Sequence, residues 1–263
     1  MTIGPINETL YEGFLTEASG VVASTSTSEV VFELIIYSLM AVLAFQICRE
    51  ISKLYLFIEY EGLRYFKNAF FFYGTANFLL SVISLSFLLI KFIDINNLEL
   101  LLLIAVFAFP FIGISFWIAK ANLLASITWK LVEEEYVPKK KALKFLFFSS
   151  LLLFVMIDVL IEILISILIG TYAAFGYRAL IFILILLLIR SNMLSGEKAK
   201  PITHPYYLAL ILLFTVSFLS NALSMVEGGG KFDLLYNAVD LLTLIAYTII
   251  FKGIKKWSRI LVE

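Results

Sequence analysis

The sequence predicts an all-α integral membrane protein of seven transmembrane helices, with its N-terminus outside and its C-terminus in the cytoplasm. Three observations carry this. Of 263 residues, 62% are hydrophobic and only 15% charged. That apolar excess is more than a soluble domain buries, so the chain needs an apolar solvent, which is lipid. Seven apolar runs reach or approach the roughly 20 residues a helix needs to cross a hydrocarbon core. The Lys and Arg residues fall almost entirely on alternate connections.

The elements follow in order. Residues 1–28 form a polar extracytoplasmic tail closing on "SGVVASTSTS". No basic stretch precedes an apolar core there, so it does not read as a signal peptide. Within it, the triplet from Asn7 fits the N-glycosylation acceptor pattern. The bundle occupies 29–257, with spans at 30–48, 66–90, 98–119, 143–169, 171–189, 205–226 and 233–251. Between the fourth and fifth lies only "GTYAAFGYR", where Gly170 and Gly176 predict a tight turn. Residues 258–263 are a short cytoplasmic tail.

Orientation comes from the basic residues. Only Lys91, Arg178 and Lys231 of the 20 lie on one side. The rest lie after spans one, three, five and seven, which places those connections in the cytoplasm. An even number of spans would scramble this pattern. The formal net charge of zero says nothing about partners, and the basic residues form no nucleic-acid patch. Lipid is the implied environment, and the plasma membrane the expected location.

Two fragments match when the chain is slid by about 140 residues: "ELLLLIA" with "DLLTLIA", and "TANFLLSVIS" with "TVSFLSNALS". A 3+1+3 parallel repeat would follow, with span four as the linker. Chance matching of leucine-rich segments is the competing reading. The topology by itself implies no activity.

Function rests on polar residues inside the membrane. Span four carries Asp158 and Glu162 four residues apart, hence on one helical face. Counted at about 1.5 Å per residue, Asp158 falls just past the midplane. Glu33, Asp240, Asn221 and Asn237 lie nearer the outer boundary, and Asn77 at mid-depth. Charge at such depth is costly and must be neutralised, paired or hydrated. Three readings stand: protonated acids hydrogen-bonded to neighbouring helices, a Glu162–Arg178 ion pair, or convergence of acids and amides on a cation or cationic ligand.

The sequence carries no catalytic constellation, glycine-rich phosphate loop or HExxH site. With His204 the single histidine and Cys48 the single cysteine, neither a zinc enzyme nor a disulfide is indicated, and no cofactor is expected. Spans are nearly unbroken apart from Gly74 and "FPFIG" at 109–113, and the inner half offers few polar positions to water, which argues against a through-pore. Residues 49–67 read as an amphipathic interfacial helix continuing span one. That segment and 130–144, with its Glu and Lys triplets, are candidate docking sites for a cytoplasmic partner. The combined expectation is a non-enzymatic binding or sensing module using Glu33, Asp158, Glu162, Asn221 and Asp240. The alternatives are a cation- or proton-coupled transporter using the same acids, and a scaffold subunit of a membrane complex.

Overall fold

The computed structural model describes residues 26–93, 98–135, 141–194, 204–224 and 233–262, with side chains for 26–92, 108–129, 144–191, 205–220 and 237–260. Asn7, the His204 side chain and most side chains of 130–144 fall outside them. The described regular structure is helical: α1 (Thr27–Ile58), α2 (Glu61–Ile93), α3 (Leu98–Glu135), α4 (Lys141–Leu168), α5 (Thr171–Leu194), α6 (His204–Ser224) and α7 (Asp233–Val262). Six of the seven contain a stretch long and apolar enough to cross a membrane. The described apolar stretch of α6, Pro205–Ser220, is shorter. The chain is a multi-pass membrane helical bundle, and its outer faces contact lipid.

α1 begins at a capping box, in which the Ser26 N–H donates to Glu29 Oε2 at 3.0 Å, satisfying a backbone donor the helix leaves open. The helix continues well past its apolar run, to Ile58. It stops where Glu59 turns left-handed at φ 53° and donates its N–H to Tyr55 O at 2.9 Å. This corrects the expectation for 49–67. The segment is not one interfacial helix: Glu59 and Tyr60 divide it, giving 49–58 to α1 and 61–67 to α2. The extra turns exist because they are packed. Ile51, Leu54 and Leu63 are fully buried, and tertiary packing stabilises helix beyond what propensity provides.

α3 likewise runs unbroken through Pro110 to Glu135, and α7 to Val262. Gly74 does not interrupt α2; its missing Cβ admits the Phe45 ring, whose nearest atom would lie 2.9 Å from a Cβ there. The turn between α4 and α5 is tighter than "GTYAAFGYR" suggests. Ile169 and Gly170 alone make it, Gly170 at φ 114°, a conformation open to glycine. Gly176 lies inside α5.

The most extensive packing joins α1 to α2 and α2 to α3; α7 closes against α1 and α6. The core is aromatic: Phe70 meets both Tyr73 and Tyr247, and Tyr73 meets Tyr247 and Phe116. At the end carrying Arg49, Lys67 and Lys252, polar ties add to it. Ser126 Oγ donates to Gly62 O at 2.8 Å, and Tyr206 OH to Ser126 O at 3.0 Å. Lys144 Nζ reaches Glu61 Oε1 at 2.7 Å and lies over the Trp129 ring. The α4–α5 hairpin is peripheral. Only 6% and 11% of its apolar windows are buried, against 28–39% for the windows of α1, α2, α3 and α7.

Candidate functional site

Five helices each turn one stripe toward a single cavity of about 580 Å³. α1 supplies Glu33, Tyr37 and Met40; α2 supplies Tyr73, Asn77 and Leu80. α3 contributes Gly113, Phe116, Trp117 and Lys120, and α6 contributes Leu213, Val216, Ser217 and Ser220. α7 completes the wall with Asn237, Asp240, Thr243, Ala246 and Tyr247. Spacings of three and four residues keep each set on one helical face. The volume is that of a small-molecule pocket, with aromatic walls and a few polar groups. The stripes of α2 and α6 also correspond: Tyr73, Asn77 and Leu80 precede Leu213, Ser217 and Ser220 by one constant offset, the one that relates "TANFLLSVIS" to "TVSFLSNALS".

Glu33 and Asp240 gather at one end. Tyr37 OH donates to Asp240 Oδ2 at 3.2 Å, and Glu33 lies one turn away along α1, hydrogen-bonded with Ser84 and within electrostatic reach of Asp240. Among the described residues neither carboxylate has an ion-pair partner. Asn77 Nδ2 donates to Tyr73 O at 2.8 Å, fixing its amide beside the aromatic waist.

Asp158 and Glu162 are elsewhere. They share one face of α4, as their spacing requires, and that face meets α5. Arg178 Nη2 contacts Glu162 Oε2, Arg178 Nη1 lies 3.8 Å from Asp158 Oδ2, and Tyr177 OH donates to Asp158 Oδ1 at 2.8 Å. All three charged side chains are 14% exposed. The Glu162–Arg178 pairing is thus one of the three arrangements weighed above, now with Asp158 included. Arg178 Nε is buried without a hydrogen-bond partner. The five candidate residues therefore do not converge. Glu33 and Asp240 share the cavity, Asp158 and Glu162 form a separate cluster, and the Asn221 side chain lies outside the described residues.

Sequence reasoning missed Lys120. It was counted among the basic residues of a connection, yet it lines the cavity on α3, one turn beyond Phe116. The signal was present in "GISFWIAK", where glycine, two aromatics and the lysine recur at helical spacing. Among the described residues, no group of three His, Cys, Asp or Glu gathers to hold a metal. No protein-family model, curated protein or solved structure matches the chain.

Proposed function

We propose that this protein is a non-enzymatic binding or sensing module that takes a cation or cationic small molecule between Glu33 and Asp240. It would sit in the cell membrane with its N-terminus outside and C-terminus in the cytoplasm, as the distribution of basic residues favours. The observation that carries the reading is the imbalance of charge. Across the apolar spans, the cluster of Asp158, Glu162 and Arg178 and the cavity pair Glu33 and Asp240 contribute four acids, while Arg178 and Lys120 are the bases near them. A cationic group at the Glu33–Asp240 end answers locally two acids that have no ion-pair partner among the described residues, where an isolated charge costs a few kcal/mol. Tyr37, Tyr73, Trp117 and Tyr247 offer π-faces suited to an organic cation. The matched stripes of α2 and α6 support the duplicated 3+1+3 architecture as the origin of the cavity.

Trp117 provides the measurement. In nanodiscs, the emission difference between wild type and Trp117→Phe is followed while an alkylammonium salt is titrated. A saturable change is expected, weakened about tenfold or more by Glu33→Gln with Asp240→Asn, since a charge-assisted contact is worth roughly 1.5–3 kcal/mol. A titration indifferent to those substitutions would remove the reading.

A transporter is the second reading, favoured by the reach of the cavity along the helices. Ion or amine flux in proteoliposomes that collapses in the same double variant would select it over sensing.

A further inference from the structure

We infer that the ligand is an elongated zwitterion, its cationic group held by Glu33 and Asp240, its anionic group by Lys120, and its apolar spacer by the aromatic waist. This rests on the cavity being a binding site and adds its chemical class. The two charged ends are set apart by the helices themselves. Ring contacts of Tyr73 with Phe116 on α3 and with Tyr247 on α7, at 6.0 and 6.4 Å between centroids, bring these residues to one level. Lys120 lies one turn from Phe116 toward the end carrying Arg49, while Asp240 lies two turns from Tyr247 in the other direction. At 1.5 Å per residue, Lys120 and Asp240 are about 16 Å apart along the bundle.

Lys120 also lacks a counter-ion of its own. Among the described residues no carboxylate lies within ion-pair distance of it, and no hydrogen bond to it is formed. Arg178 and Asp158 lie within electrostatic reach of it. Asp158 is already engaged by Tyr177 and Arg178. A cation lining a cavity whose other end carries two unpaired acids defines a dipolar space, and between them Tyr73, Phe116, Trp117 and Tyr247 favour an apolar linker. A simple inorganic cation would leave both the waist and Lys120 unused.

The test compares two probe series on the full-length chain in nanodiscs, read by Trp117 emission: straight-chain alkylammonium ions, and ω-amino carboxylates of matched length. The ω-amino carboxylates are expected to bind roughly tenfold tighter once long enough to span the cavity, the effect of one charge-assisted contact. Lys120→Met should erase that preference, so that ω-amino carboxylates bind no tighter than alkylammonium ions of matched length to the same variant, and Lys120→Arg should retain it. Alkylammonium binding without a carboxylate preference, or a preference that survives Lys120→Met, overturns the zwitterion and leaves the cationic site standing. Failure of both series to bind removes the binding site and this inference with it.

Discussion

Arg178 decides the fate of two carboxylates. A buried pair broken on one side leaves an uncompensated charge, whereas a pair replaced entirely by neutral groups is often tolerated. Arg178→Met is therefore expected to lower stability by about 3–5 kcal/mol, measured as denaturant unfolding in detergent. The triple variant Arg178→Met, Asp158→Asn, Glu162→Gln should recover most of that loss; equal loss in both would show that packing, not charge, is what Arg178 provides. Tyr206 is a milder case. Its hydroxyl joins α6 to α3 through Ser126, so Tyr206→Phe should cost about 1 kcal/mol in the same assay. Residue placement was legible only along one helix at a time. The four-residue spacing correctly put Asp158 with Glu162, but nothing in the spacing could say that α5, not the cavity, faces them. Lys120 escaped because counting charges assigns a side of the membrane and is silent on which way a side chain faces.

At the scale of elements, the apolar runs located every described helix, because a lipid-facing segment must be apolar along about 20 residues regardless of its neighbours. The ends were not legible. α1, α3 and α7 continue beyond the apolar runs that mark them in the sequence on the strength of contacts such as Leu54, Trp129 and Trp257, all buried, and such contacts depend on partners distant in sequence. The α4–α5 turn is different, since it is written locally in Gly170. With φ at 114°, Gly170→Ala should cost roughly 1–3 kcal/mol, read as reduced thermal stability. Gly176→Ala, in helix with open space where the added Cβ would lie, should be neutral or slightly stabilising.

For the whole molecule, the prediction is one of sidedness. In a Cys48→Ala background, which removes the single thiol, Ser26→Cys and Lys256→Cys place a reporter at each end of the bundle, both at exposed positions. A membrane-impermeant maleimide applied to intact cells should label the first and spare the second until the cells are opened. Labelling of both from one side would require an even number of crossings and would overturn the proposed threading. Cavity membership itself was only half readable in advance. Depth counting brought Glu33 and Asp240 to one level, but choosing the helices that enclose them requires knowing that α4 and α5 stand aside.

The peripheral hairpin has a consequence for biosynthesis. A ribosome releases Asp158 and Glu162 before it makes the arginine that neutralises them, so α4 must reach the translocon as an apolar helix with two unanswered acids. Each such group opposes partitioning into lipid by a few kcal/mol. Insertion of α4 should accordingly wait for α5, the two entering as a unit, and nascent chains ending at residue 170 should integrate α4 less completely than chains extended to residue 194.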